Sequence, residues 1–172
     1  QPRSRGLGDV YKRQEYINSL ANTIKTHEFY GKQDKVVFSY HGIPKKYFDE
    51  GDPYHCFCQK TSRLVAEALG LEENQYITSF QSRLAAAGRE WLKPYTSELM
   101  EKLPEEGVKK ILILSPGFSM DCLETIEEID EENKEIFLDS GGEAFHYIAC
   151  LNDNDEHVEA INNLIANKIS QL

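Results

Sequence analysis

The fold is decided by the stretch Val36-Val-Phe-Ser-Tyr-His41-Gly-Ile-Pro44. An apolar run rich in β-branched and aromatic residues ends on polar side chains and is then broken by Gly42 and Pro44. This pattern predicts a buried strand followed by a loop. Ligands of parallel α/β folds bind beyond the carboxyl ends of the strands. The sequence therefore places His41 where such folds carry out chemistry.

Three further apolar runs alternate with amphipathic helical patterns. The predicted strands cover residues 36–40, 75–80 and 110–115, with a fourth inside 143–151. Helices are predicted over 15–31, 54–69, 94–103 and 121–138, with a last helix capped by Asp153 or Asp155. Residues 45–53 and 81–91 are predicted as irregular. The alternation predicts an α/β fold with a four-stranded parallel sheet and helices on both faces.

Composition limits the classes of function. The 172 residues are enough for one domain with a substantial core. A formal charge of −10 argues against a nucleic-acid partner, for which a basic surface is expected. No apolar run reaches membrane-spanning length. The four cysteines are scattered, which favours reduced thiols and a cytoplasmic location over a disulfide framework.

Residues 1–14 differ from the remainder of the chain. They carry four basic side chains against one acidic side chain and show neither a helical nor a strand period. The run Asp9-Val-Tyr-Lys-Arg-Gln14 resembles the translated end of a transposon used to prepare sequencing libraries. We interpret residues 1–14 as a non-native or disordered leader and residues 15–172 as the domain.

Two interpretations apply to each chemically suggestive feature. His41 could accept protons near neutral pH, or it could be an ordinary polar residue satisfied in a loop. Residues 121–135 hold eight acidic side chains and one basic side chain. Among them, Glu124, Glu128 and Glu132 recur every four residues, a row of roughly 12 Å on a helix. The row could pass on a divalent cation or protons, or it could be the solvated face of an amphipathic helix.

Three blocks in order resemble the ferrochelatase family. They are Ser39-Tyr-His41-Gly-Ile-Pro44, Gln81-Ser-Arg83 with the later Trp91-Leu-Lys-Pro94, and Asp121-Cys-Leu-Glu124-Thr125. The resemblance extends over residues 15–172. It implies the C-terminal half of a two-domain chelatase fold, with a π-type winding of the acidic helix. The chain departs from the family pattern at residues 84–88, where it is about two residues longer.

The resemblance implies an enzyme that inserts ferrous iron into a porphyrin, protoporphyrin IX, to form haem. His41 and Glu124 inherit the catalytic, metal-facing positions. Glu128 and Glu132 match the acidic row that leads away from them. Two alternatives remain open: a related cobalt or nickel chelatase of another tetrapyrrole, and a non-catalytic α/β binding module.

Further expectations concern the substrate, cofactors and partners. The proposed substrate-binding residues are Ser39, Gln81, Ser82, Arg83 and Trp91, although Trp91 equally fits core packing. Porphyrin and Fe2+ are expected as substrates, with no permanently bound cofactor. An iron–sulfur cluster on the tail is not supported because no cysteine follows Cys150. Two further partners are expected: the missing N-terminal half of the same enzyme, and the inner membrane, through peripheral contact.

Overall fold

The computed structural model of the protein describes residues 6–84 and 88–171. Its centre is a four-stranded, all-parallel sheet with the order β2-β1-β3-β4. The strands are β1 (Lys35–His41), β2 (Tyr76–Gln81), β3 (Lys110–Leu114) and β4 (Ala144–Tyr147). The predicted fold class and all four strands are confirmed.

Helices precede the first strand, connect each strand to the next and follow the last strand. They are α1 (Gly6–Thr26), α2 (Lys45–Asp49), α3 (Tyr54–Leu69), α4 (Thr96–Glu105), α5 (Leu123–Thr125), α6 (Lys134–Asp139) and α7 (Asp155–Ile169). A 3-10 turn covers Glu73–Gln75, and a π-helix covers Ile126–Asn133. Helix α5, the π-helix and α6 run on without a break, and we call residues 123–139 the acidic helix. Among the described residues, no helix has the length and apolarity needed to cross a membrane.

The side chains of β1 alternate between two cores. Val36 and Phe38 lie in the core beneath α1 and α3, whereas Val37 lies in the core beneath α4 and the acidic helix. All three are fully buried, and burying a side chain such as Phe38 contributes about 2 kcal/mol. This alternation explains why an almost continuous apolar run forms a central strand.

The strand order creates a crevice between β1 and β3. The chain leaves β1 toward β2 on one side, and later passes from β3 to β4 on the other. Such a reversal opens a crevice at the carboxyl ends, where the connecting segments diverge. His41 ends β1, and the loop that leads into the acidic helix follows β3. The topology thus brings the first and third sequence blocks to one edge.

Several predicted boundaries were wrong. Helix α1 begins at Gly6 rather than residue 15, so residues 6–14 of the predicted leader are helical, while residues 1–5 lie outside the described part. The non-native origin of the leader stays a prediction. Residues 45–49 form α2 instead of a loop, because Pro44 precedes the first turn and Lys45 pairs with Asp49 at 2.8 Å.

Two helix starts also differ from the prediction. Helix α4 begins at Thr96 rather than at residue 94. The cap of α7 is Asn154, whose side chain accepts a hydrogen bond from the Glu156 amide at 2.9 Å, and not Asp153 or Asp155. Asparagine and aspartate are similarly good N-caps, so the sequence pattern could not separate these adjacent positions.

Candidate active site

A cleft of about 520 Å³ lies at the carboxyl edge of the sheet. It brings together seven of the predicted site residues: His41, Ser82, Arg83, Trp91, Glu124, Glu128 and Glu132. Leu84, Leu123 and Glu127 also line it and were not predicted as site residues. The chain departs from the family pattern at residues 84–88, and residues 85–87 of that stretch lie outside the described residues. The three sequence blocks therefore meet in one cleft.

His41 is an exposed side chain with a defined ring orientation. Its Nδ1 lies 2.7 Å from the carbonyl oxygen of Gly42. A carbonyl can only accept, so Nδ1 carries the hydrogen of the neutral ring and Nε2 keeps its lone pair. The backbone at this point is also held, because the Tyr54 hydroxyl donates to the His41 carbonyl at 2.8 Å. The ring can therefore take up a proton at Nε2 without giving up its contact with Gly42.

Gly42 is required by close packing at the cleft. A Cβ at this position would lie 2.9 Å from the carbonyl oxygen of Gln81 and 3.4 Å from Cε3 of Trp91. The first distance is too short for a real Cβ, so any larger residue would push β1 and β2 apart beside His41. The glycine that the sequence marks as a strand breaker also lets the backbone pass beneath Trp91.

Glu124 lies in the first turn of the acidic helix. Hydrogen bonds from its own backbone N–H and from the Cys122 side chain hold the pKa of Glu124 below its ordinary value. Charge attraction from His41 acts in the same direction. Burial, followed by the contact with Glu124, raises the pKa of Cys122 above that of a free thiol. Glu124 is thus kept as a carboxylate beside His41, with Cys122 as a neutral donor.

Glu128 is held by the residue that follows β2. Its two carboxylate oxygens accept hydrogen bonds from the Ser82 backbone N–H at 2.6 Å and from the Ser82 hydroxyl at 2.7 Å. Ser82 adopts a left-handed φ of 60°, which is uncommon for a residue other than glycine. This conformation turns its amide and hydroxyl toward the same carboxylate. No pattern in the sequence indicates this contact.

The acidic helix has the π-type winding that the family resemblance implied. The π-helix coincides with the middle of the acidic run, and Asn133 Nδ2 donates to the Glu128 carbonyl at 2.6 Å. Such segments occur often at functional sites. Glu124, Glu128 and Glu132, which we call the carboxylate row, line the cleft together. A helix face that only meets bulk solvent would not account for the contacts of Glu124 and Glu128.

Arg83 and Trp91 lie on the α4 side of the cleft. The Arg83 guanidinium stacks 4.2 Å above the Tyr95 ring and pairs with Glu98 at 3.3 Å. Trp91 is only 9% exposed and its backbone pairs with Pro44. Most of the Trp91 side chain therefore packs inside, while the remainder lines the cleft. Contact of Trp91 with the substrate stays a prediction.

Ser39 and Gln81 correct the predicted set of substrate-binding residues. Ser39 is fully buried and Gln81 is 2% exposed, so neither side chain reaches the cleft surface. The alternation of β1 turns Ser39 toward α4, where its hydroxyl meets Thr96 at 2.8 Å. The prediction that these two side chains contact the substrate directly was wrong. The sequence alone does not show that polar side chains at strand ends form hydrogen bonds with one another inside the protein.

Asp121 has a structural role that the sequence did not reveal. It accepts hydrogen bonds from the Tyr147 hydroxyl, the Cys150 amide and the Asn152 side chain at 2.7, 3.1 and 2.7 Å. Partial burial acts to raise the pKa of Asp121, but bonds from Asn152, Tyr147 and Cys150 lower it to about 2. This carboxylate fastens the start of the acidic helix to the end of β4 and to the segment after it.

Metal ligands were predicted at His41 and Glu124. Within residues 6–84 and 88–171, no cluster of three or more histidine, cysteine or acidic side chains is arranged to hold a metal ion. The cleft offers one imidazole nitrogen and the carboxylates of the row. These are groups that a passing cation could contact one after another.

Comparison with known proteins identifies the family. The ferrochelatase family model matches residues 1–169. A ferrochelatase of Hydrogenovibrio crunogenus is 52% identical over 95% of this chain and 43% of its own length. A ferrochelatase of Marinobacter nauticus is 53% identical over 90% of this chain and 41% of its own length. A third, from Vibrio parahaemolyticus, is 49% identical over 95% of this chain and 51% of its own length.

A similar solved structure has the same fold. It is a putative cobalamin biosynthesis CbiX protein from Marinobacter aquaeolei, with a TM-score of 0.51 and 11% identity. The match covers 80% of this chain and 98% of that protein. At this identity the similarity shows the fold alone. The chain spans about half the length of the curated relatives that it matches, and it belongs to the ferrochelatase family.

Proposed function

We propose that the complete protein inserts ferrous iron into a porphyrin, protoporphyrin IX, and that this chain supplies the proton acceptor and the metal approach. The observation that carries the proposal is the free Nε2 of His41 in a cleft lined by the carboxylate row. A porphyrin loses two pyrrole protons as the metal enters. The reaction therefore needs a base beside the ring and an ionic route for cations.

His41 suits the role of the base. An imidazole whose Nε2 is free can accept a pyrrole proton and then release it. Nδ1–H stays bonded to the Gly42 carbonyl in both protonation states. The ionised Glu124 stabilises the imidazolium that forms, because the two charges attract each other. Each proton then leaves for water through the open side of the cleft.

The carboxylate row suits the approach of iron. Carboxylate oxygens are hard ligands that bind divalent cations, and weak successive contacts allow a cation to move on. Glu132 is exposed, while Glu128 and Glu124 are half-buried. The row thus leads from solvent toward His41. Ser82 keeps Glu128 fixed at the midpoint of this route.

The proposed partner is the other half of the same enzyme. The relatives are about twice as long as this chain, and α7 exposes apolar side chains along one face. Those residues are Val158, Ile161, Leu164, Ile165 and Ile169, each at least 40% exposed. Two of them, Ile161 and Leu164, border an apolar groove of about 340 Å³. A second half that covers this face would remove it from water.

Peripheral membrane contact and the lack of a permanent cofactor stay predictions.

The test uses a grafted enzyme, in which this chain replaces the matching segment of the Hydrogenovibrio crunogenus relative. It should insert Fe2+ into protoporphyrin IX, and His41→Ala should lower turnover by about 10²- to 10⁴-fold, the usual contribution of a general base. The matched control is His27→Ala, which changes a histidine before β1, at the opposite edge of the sheet. Normal turnover by His41→Ala would refute the assigned base. Insertion of cobalt or nickel in preference to iron would favour the alternative chelatase.

A further inference from the structure

Gln81 contacts the environments of both candidate catalytic residues. It ends β2 and is the register partner of His41 on β1. Its backbone carbonyl accepts a hydrogen bond from the Gly42 amide at 2.8 Å. The carbonyl of Gly42 in turn accepts Nδ1–H of His41. The backbone of Gln81 therefore anchors Gly42, the residue whose carbonyl orients the imidazole.

The side chain of Gln81 reaches the other candidate catalytic residue. Its Nε2 donates to the backbone carbonyl of Glu124 at 2.5 Å. Its Oε1 accepts hydrogen bonds from the hydroxyls of Ser39 at 2.8 Å and Ser115 at 3.0 Å. The orientation of the amide is determined, because the Glu124 carbonyl can only accept and needs the N–H side of the amide.

The hydrogen bonds among the hydroxyls behind Gln81 also have one consistent order of donors and acceptors. Ser39 gives its hydrogen to Gln81, so its oxygen must accept from Thr96, at 2.8 Å. Thr96 then accepts from the hydroxyl of Ser79 at 2.9 Å. We call these residues the buried polar chain: Ser39, Ser79, Gln81, Thr96 and Ser115. All five are at most 3% exposed. A satisfied network of this kind stiffens the groups that it joins.

We propose that Gln81 is the positioning residue that sets His41 and Glu124 relative to each other. The inference rests on the proposed function of those two residues. From the end of β2, this one amide contacts three other elements: β1 through Ser39, the end of β3 through Ser115, and the acidic helix through Glu124. Because Gln81 is buried, it acts on the reaction only through the residues that it holds.

The activity test compares two deletions within the same buried polar chain of the grafted enzyme. Gln81→Met keeps the length of the side chain but removes the bond to Glu124. Ser79→Ala, the matched control, removes a hydroxyl at the far end and leaves that bond intact. Displacing a reacting group by about 1 Å can cost about 10²-fold, so Gln81→Met should lower kcat by about that factor. KM for porphyrin should stay within about twofold of wild type, and Ser79→Ala should keep kcat within about twofold.

A second measurement does not depend on activity. In the 172-residue chain, Gln81→Met should speed amide hydrogen exchange in the first turns of the acidic helix, and Ser79→Ala should not. If the grafted enzyme inserts no metal, the proposed function fails, while the exchange data still decide whether Gln81 holds Glu124. Equal loss of kcat in both variants, or unchanged exchange in Gln81→Met, would overturn the positioning role.

If Gln81→Met does not fold, Gln81→Glu provides a second test of the positioning role of Gln81. The introduced carboxyl would be buried, which raises its pKa. Its neutral form can donate to the Glu124 carbonyl, whereas its ionised form cannot donate and repels that carbonyl. The ratio of its kcat to that of wild type should fall as pH rises. A ratio near one at every pH would overturn the proposal.

Discussion

The buried polar chain and the carboxylate row meet at Glu124 but differ in burial and charge. The chain is neutral, enclosed and linked by hydrogen bonds from end to end. The row is charged and faces a cleft, and its first two members are held by neighbouring groups. The difference fits the two proposed roles, in which the buried polar chain fixes distances and the carboxylate row meets the ligand. The sequence assigned Ser39 and Gln81 to substrate binding, because a buried and an exposed polar side chain near a strand end look alike in sequence.

The largest expected effect tests whether the cleft can work from one side. The isolated 172-residue chain should fold but show no metal insertion and only weak porphyrin binding. Binding sites normally enclose most of their ligand, whereas His41 is exposed. Insertion can be followed by the absorbance of the metalloporphyrin, with the grafted enzyme as the positive control. Turnover by the isolated chain at the grafted enzyme's rate would show that no facing half is needed.

The next effect grades the carboxylate row. In the grafted enzyme, Glu124→Gln should cost most, about 10²-fold in kcat, because it removes the charge beside His41. Glu128→Gln and Glu132→Gln should cost less and should mainly raise the KM for Fe2+. The control is Glu131→Gln, an exposed acid of the same helix that does not line the cleft. Four equal, negligible effects would restore the solvated-face interpretation.

The buried polar chain should respond in stability. Thr96→Val removes the hydroxyl that links Ser39 to Ser79. The buried Ser79 hydroxyl then loses its acceptor, which costs about 1–3 kcal/mol, whereas Ser39 still donates to Gln81. The free energy of unfolding can be measured by urea denaturation of the isolated chain. Thr26→Val, at the exposed end of α1, serves as the matched control. If the free energy of unfolding falls by the same amount in both variants, the buried polar chain does not stabilise the protein more than an exposed hydroxyl does.

The smallest effect concerns Asp121 and acid. Its pKa of about 2 in the folded protein lies below the ordinary value of about 3.9 expected when unfolded. Its stabilisation is therefore complete above the ordinary value and is lost as pH falls toward 2. Asp121→Asn should make the free energy of unfolding decline less steeply between about pH 4 and pH 2. An unchanged slope, equal to that of the exposed control Asp139→Asn, would contradict this role.

The sequence predicted the parts of the fold that depend on hydrophobic periodicity. The apolar runs located all four strands, and the family resemblance predicted that His41 and Glu124 lie near each other. The sequence could not predict contacts between residues far apart in the chain, such as Ser82 with Glu128 or Gln81 with the Glu124 carbonyl. The partner of a polar side chain depends on packing, so a buried Gln81 and an exposed one look alike in sequence.

The π-helix also sets the rotational phase of the acidic helix. A regular helix turns by about 100° per residue, so one additional residue rotates everything that follows by that angle. Glu124 precedes the π-helix and lines the cleft, whereas Phe137 follows it and is fully buried, in a position where a Cβ on Gly142 would overlap its ring. Deleting a single residue from the π-helix would therefore turn Phe137 out of its core while Glu124 stayed in place. The irregular turn lets one continuous helix serve a cleft at one end and a core at the other.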